Sequence, residues 1–350
     1  MDLDNAVWKA GNLVSLNNTS LLIGYGKLQA TGFAGVDLKR AAFYYPDFFL
    51  KDEAPWHQYT STEKILISDF EESLQVNNEP TPEWTVGYRT LFEETFEQLQ
   101  SFFQTGLLKK AVPYVFASTS TKMSLDRFKK ALKTALSFVK TYPFHLYAFW
   151  DEEGGVLGMT PEPLFFHALK NASELSTVAL AGTVKRGMEV EFENNEKESS
   201  EHQLVIEGIC KTLEQFGTIS IGAREVLQLP TLSHLMTPIK LKLNHPFHFE
   251  EMVKALHPTP ALGAFPKKEG WEWLYHYQSR LDRKFFGAPV GFLDPEEGIS
   301  ACFVSIRHVQ WNKEGMRIGA GCGIVKNSNC AQEWAEINLK LQAIRNCLAL

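Results

Sequence analysis

Cysteine is scarce in this 350-residue chain: Cys210, Cys302, Cys322, Cys330 and Cys347 are the only five. They form no Cys-x-x-Cys pair, and their spacing matches neither a zinc site nor a disulfide framework, so reduced, cytosolic thiols are the simplest reading. Long apolar runs are also missing. Without a stretch of about 18 apolar residues, no membrane-spanning helix is expected. Met1 is followed by Asp2 and Asp4 rather than by a basic start and an apolar run, so no secretory signal is expected either. Nor is there an excess of positive charge. With 35 basic and 41 acidic side chains the formal net charge is -6, which argues against a nucleic-acid footprint and for a small-molecule partner. No internal repeat or low-complexity segment interrupts the chain.

What is present is an ordinary globular mixture, 44% hydrophobic and 22% charged, enough for a sizeable core in one large domain or two ordinary ones. No linker divides it, so a single α+β domain over 1–350 is expected. Residues 1–80 alternate short apolar runs with Asn, Thr and Ser, which predicts strands and loops, and carry no nameable motif. A helical pattern spans 88–103, with Leu91, Phe92, Phe96, Leu99 and Phe103 near one face. Residues 107–117 read as a strand entered through Lys109 and Lys110, although Pro113 sits awkwardly inside it. Ser124 suits the N-cap of a helix reaching about residue 140. Strands are expected at 145–150, 155–159, 164–168 and 178–183, and helices at 198–216, from near 249, and at 269–281. A hairpin pairs 288–292 with 302–309, placing Arg307 on its second strand.

The stretch 319–340 combines closely spaced glycines with Glu333, Glu336 and Lys340 at i, i+3 and i+7. On a helix those three side chains share a face. That face is either a solvated salt-bridge stripe or a hand of ligands, and the glycines are either plain turn residues or a place where backbone approaches an anion.

Seven ordered motifs run through the chain between about residues 110 and 340. They are Thr160-Pro161-Glu162, Leu180-Ala181-Gly182-Thr183, Lys197-Glu198-x-x-Glu201-His202, His234-Leu235-x-Thr237, Leu256-His257-Pro258-Thr259-Pro260-Ala261, Ile306-Arg307, and the glycines with Glu333, Glu336 and Lys340. Together they resemble the chorismate-binding enzymes: isochorismate and salicylate synthases and the large chains of anthranilate and aminodeoxychorismate synthase. The resemblance covers the part 106–350, and residues 1–105 match little of it. It implies an α+β fold with a central β-sandwich flanked by helices, chorismate as substrate, and no obligatory protein partner.

The same resemblance implies a magnesium ion held by Glu201 and Glu336, with Glu198 and Glu333 beside it. Mg2+ is commonly held by one or two carboxylates plus water and an anionic substrate. It would set the substrate's carboxylates against Arg307, Lys340, Gly321 and Gly323, with Leu180, Ala181, Gly182, Thr183, His234, Thr259 and Ala261 lining the substrate site. Lys110 aligns with the lysine that serves as general base in isochorismate and salicylate synthases, where ammonia-using relatives have glutamine. A shift of one residue would make Lys109 the base instead. Glu162 takes the place of the general acid that protonates the departing C4 hydroxyl, a role that needs a raised pKa. The loop 256–261 is most like that of isochorismate synthases, so conversion of chorismate to isochorismate is expected. Salicylate synthase, an amine-forming large chain and a non-catalytic chorismate binder are the alternatives. Pro113, Val184, Ala264 and Phe286-Gly287-Ala288 depart from the family pattern. The downstream pathway, whether to menaquinone, a siderophore or salicylate, is not encoded in these motifs.

Overall fold

The computed structural model describes residues 5–168, 173–190, 192 and 195–350. Among them, 17 strands join in one continuous sheet and three short ones form a second. The long ribbon starts at Thr85–Val86 and passes through Tyr114–Thr119, Gly315–Gly321, His308–Asn312, Gly154–Thr160, His145–Trp150 and Gly11–Ser15 to Ser20–Thr31. It continues through Trp56–Leu66, Ala42–Tyr44, Pro289–Asp294, Ile299–Val304, Pro163–Ala168 and Glu174–Lys185 to Leu232–Leu243. All of these pairings are antiparallel.

Because successive strand residues point to opposite faces, each strand serves two apolar layers. Leu13, Leu21 and Ile23 join one cluster, whereas Val14 and Leu22 join another with Phe43, Tyr59, Tyr147, Phe292 and Phe303. His145 stacks on Phe303 at 4.4 Å between centroids, although six strand steps separate them along the ribbon. Tyr45 likewise donates its hydroxyl to the Ala148 carbonyl at 3.1 Å. The ribbon therefore folds back on itself as a β-sandwich, with an aromatic layer inside.

Helices cover the outer layer. The helix Leu125–Thr141 begins at Ser124, whose side chain accepts from Arg127 N, and buries Phe128, Leu132, Leu136 and Val139 at helical spacing. Phe128 packs on Trp150, with centroids 5.0 Å apart. Burying each leucine contributes roughly 1.5–3 kcal/mol. The N-terminal strands are not an appendage: Gly11–Ser15 pairs with His145–Trp150, and Ala42–Tyr44 with Pro289–Asp294. No helix among the described residues is long and apolar enough to cross a membrane.

Two expectations are corrected. The strand over 107–117 is split by Pro113. Lys110–Ala111 lies between Ala264–Phe265 and Ile324–Val325 in the small sheet, and Tyr114–Thr119 enters the large one. Proline has no N–H to give a ladder, so the chain changes sheets there. Arg307 is not on a strand. Ile299–Val304 ends before it, and Arg307 sits at φ 53° in the turn leading to His308–Asn312.

Candidate functional site

One cleft of about 710 Å³ gathers most of the expected residues: Glu162, Leu180, Ala181, Gly182, Thr183, Glu201, His234, Ala261, Arg307, Gly321, Gly323 and Lys340 all line it. Glu162 is placed by the turn between Gly154–Thr160 and Pro163–Ala168. Its backbone N–H donates to Thr160 Oγ1 at 3.1 Å, and Thr259 Oγ1 donates to its carboxylate at 3.4 Å. The Thr259 side chain thus reaches the site from behind, outside the lining. Burial pushes the Glu162 carboxyl up to about 7, against the opposing charge of Lys110. A group at that value can give up a proton near neutrality.

Lys110 is 0% exposed, and its ammonium lies 3.0 Å from Glu201 Oε1. Lys109, its neighbour on the pleated strand entry, is exposed with its ammonium over the Phe265 ring. The geometry therefore turns Lys110, not Lys109, toward the site. Gly323 is what permits the close approach of Lys110 and Glu201. A Cβ there would lie 2.7 Å from Lys110 Cε and would overlap the Glu201 carboxylate.

Two helices supply the carboxylates. Glu198 and Glu201 project from Glu196–Leu213, and Glu333 and Glu336 from Cys330–Leu348, each helix capped by an asparagine, Asn195 and Asn329. Between them stands Lys197, whose Nζ is 2.9 Å from Glu198, 3.4 Å from Glu201 and 3.1 Å from Glu333. Burial would raise Glu201, but the ammoniums of Lys110 and Lys197 hold it down to about 2. Burial raises Glu198, and it lifts Glu333 to about 7. Glu198 also accepts from Thr183 N at 2.7 Å, tying its helix to the strand Glu174–Lys185 where Gly182, at φ 77°, forms a bulge. Glu336 pairs instead with Lys340 at 2.7 Å, and Lys340 donates to the Gly321 carbonyl at 2.9 Å.

No three His, Cys, Asp or Glu side chains among the described residues form a ready-made metal cage. The donor chemistry nevertheless suits a hard divalent cation. The donors are all carboxylate oxygens, three of them already surround one cation, the Lys197 ammonium, and Glu333 Oε2 is buried without a partner.

Across the cleft Arg307 is fixed by His234. His234 Nδ1 faces the Gly182 carbonyl at 3.0 Å and so carries the proton, leaving Nε2 to accept from Arg307 at 2.7 Å. Burial, with Arg307 next, holds His234 well below its usual range and keeps the ring neutral. Burial also lowers Arg307 to about 10. An arginine held this way presents its guanidinium to a carboxylate.

Sequence reasoning quoted Lys197 without giving it a role, and it missed the apolar lining from Val112, Leu262, Phe286 and Ile344. The signal for Lys197 was its place one residue before Glu198 and four before Glu201, which puts it over the same helical turn.

The family profile described as "Chorismate binding enzyme" matches residues 50–349. The chain is 34% identical over 203 residues to the salicylate biosynthesis isochorismate synthase of Pseudomonas aeruginosa, a match covering 55% of this chain and 42% of that protein. It is 28% identical over 273 residues to the isochorismate synthase EntC of Escherichia coli (strain K12), covering 75% and 68%. The matches to several curated relatives thus span about half the length of those proteins. Among solved structures, a 2,3-dihydroxybenzoate-specific isochorismate synthase, DhbC, from Bacillus anthracis superposes with a TM-score of 0.78 at 20% identity, covering 99% of this chain and 98% of that one. Component I of anthranilate synthase from Streptococcus pneumoniae gives 0.71 at 14%, covering 98% and 94%. These superpositions establish the α+β fold with its large central sheet flanked by helices.

Proposed function

Because the chain belongs to the chorismate-binding enzyme family, we propose that it is an isochorismate synthase, converting chorismate to isochorismate with Mg2+ as cofactor. The observation that carries this reading is Glu162, a buried carboxyl pushed up to about 7 in the cleft beneath which Lys110 is wholly enclosed. Arg307, oriented by neutral His234, and Lys340 supply positive charge for the two carboxylates of chorismate. Lys110 takes a proton from a water that attacks ring carbon C2, a role open to it once its amine has given up the proton held beside Glu201. Glu162 gives its proton to the C4 hydroxyl, which leaves as water while the ring double bonds shift. One water is consumed and one released, so the reaction is an isomerisation.

Glu201 and Glu336 would hold the metal, with Glu198 and Glu333 beside them. When bound, Mg2+ would neutralise and polarise a carboxylate of the substrate. The apolar wall of Val112, Leu262, Phe286 and Ile344 limits water in the cleft, which strengthens each of these charge contacts. A cytoplasmic setting belongs to the same proposal, in keeping with five free cysteine thiols.

The test is to supply purified protein with chorismate and Mg2+, with and without ammonium, and to identify the products by chromatography. Isochorismate formation that stops on chelation with EDTA is the expected result. Salicylate with pyruvate would assign the eliminating chemistry, an ammonium-dependent aminated product would assign the amine-forming one, and ligand binding without turnover would leave a chorismate-binding protein.

A further inference from the structure

We propose that Lys197 is a built-in counter-cation of the carboxylate cluster, seated against Glu201 and the flanking Glu198 and Glu333 until the metal displaces it. The inference rests on the magnesium reading above and adds to it the residue that sets the metal's affinity. Lys197 Nζ contacts carboxylates from both helices, Glu198 and Glu201 on one and Glu333 on the other, at 2.9, 3.4 and 3.1 Å. Neither of the other two lysines at the cluster does this. Lys110 reaches Glu201 alone from a fully buried strand, and Lys340 is engaged by Glu336 and the Gly321 carbonyl.

Charge and access point the same way. With the four glutamates ionised and all three lysines charged, Lys110, Lys197 and Lys340 leave the cluster with one net negative charge. Withdrawing Lys197 leaves two, the number a divalent cation cancels. Withdrawal is open to Lys197 because it lies in the first turn of Glu196–Leu213 with 17% of its side chain exposed, whereas the Lys110 side chain is 0% exposed. With only Lys110 and Lys340 left to offset them, the four carboxylates would repel one another across the two helices, so the Lys197 ammonium stabilises the metal-free protein. It also competes with the metal.

The experiment compares wild type, K197Q and K197R in metal-free buffer and on titration with MgCl2. Calorimetry is expected to show K197Q binding Mg2+ roughly tenfold or more tighter than wild type, as removal of a competing ligand requires, while K197R stays at or below wild-type affinity. In EDTA, K197Q is expected to melt several degrees below wild type and to recover most of that difference with Mg2+. A second measurement needs no variant. Pulse acetylation of wild type at fixed pH, read by mass spectrometry, is expected to label Lys197 faster with Mg2+ than with EDTA. Equal or weaker Mg2+ binding by K197Q, or Lys197 labelling that does not rise with Mg2+, overturns the inference while leaving a wild type that binds Mg2+ and turns over chorismate intact. A wild type that binds no Mg2+ overturns both readings.

Discussion

At the scale of single residues, the site depends on groups held against their solution behaviour. Glu162 is protonated up to about pH 7 because burial opposes its charge. If that proton goes to the leaving hydroxyl, kcat/KM falls as pH rises through about 7, since the active form of the free protein is the protonated one. Glu162→Gln keeps the shape but has no proton to give. Its kcat is expected to drop by about 10²- to 10⁴-fold with KM little changed, and the residual rate is expected to lose the alkaline limb. A pH series of steady-state rates on both proteins checks this. Gly323 is the second pressure point. Gly323→Ala places a methyl against the Glu201 carboxylate and Lys110 Cε, so the ion pair must separate. Overpacking of this kind costs about 1–3 kcal/mol, and a loss of activity of roughly 10²-fold is expected from the displaced base. Thermal melts and turnover measure the two effects separately.

Among the elements, the helix Cys330–Leu348 carries both Glu333 and Glu336, and its start is set by one side chain. Asn329 Oδ1 accepts from the backbone N–H groups of Ala331 and Gln332, both at 3.1 Å. Asn329→Ala is expected to cost about 1 kcal/mol in urea unfolding and to weaken Mg2+ binding, because the first turn holds Glu333. Much of this level was legible in the sequence. The periodicity at 88–103 anticipates Arg89–Thr105 to within two residues, Ser124 does cap its helix, and the hairpins at 145–159 lie where alternation puts them. The one-face arrangement of Glu333, Glu336 and Lys340 also holds. What charge spacing does not encode is partnership: Glu336 turns to Lys340, while Glu333 turns across to Lys197 on another helix. The split at Pro113 was visible only as an awkward proline, since the small sheet that receives Lys110–Ala111 is assembled from segments more than 150 residues further along.

For the whole molecule, the sequence showed motifs only beyond residue 110, yet the fold needs what comes before. The family profile begins at residue 50, but the strands before it sit in the middle of the ribbon, between His145–Trp150 and Pro289–Asp294. Removing residues 1–49 would expose Tyr147, Phe292 and Phe303 of the inner aromatic layer and leave open sheet edges. Such a truncated protein is expected to be insoluble or to lose its near-ultraviolet circular dichroism, which soluble yield and spectroscopy would show. The early strands were hard to assign a purpose because their contribution is pairing and packing, which leaves alternation in the sequence and no chemical motif.

The two-layer division of each strand also constrains how this chain can drift over time. Leu13 faces one layer and Val14 the other, and the same holds for Leu21 and Leu22. A single inserted or deleted residue would exchange the layers over the rest of the strand, whereas a change of one apolar side chain for another would be absorbed locally. Descendants of this sheet are therefore free to vary in spelling but not in metre, and their differences in length belong in the connections.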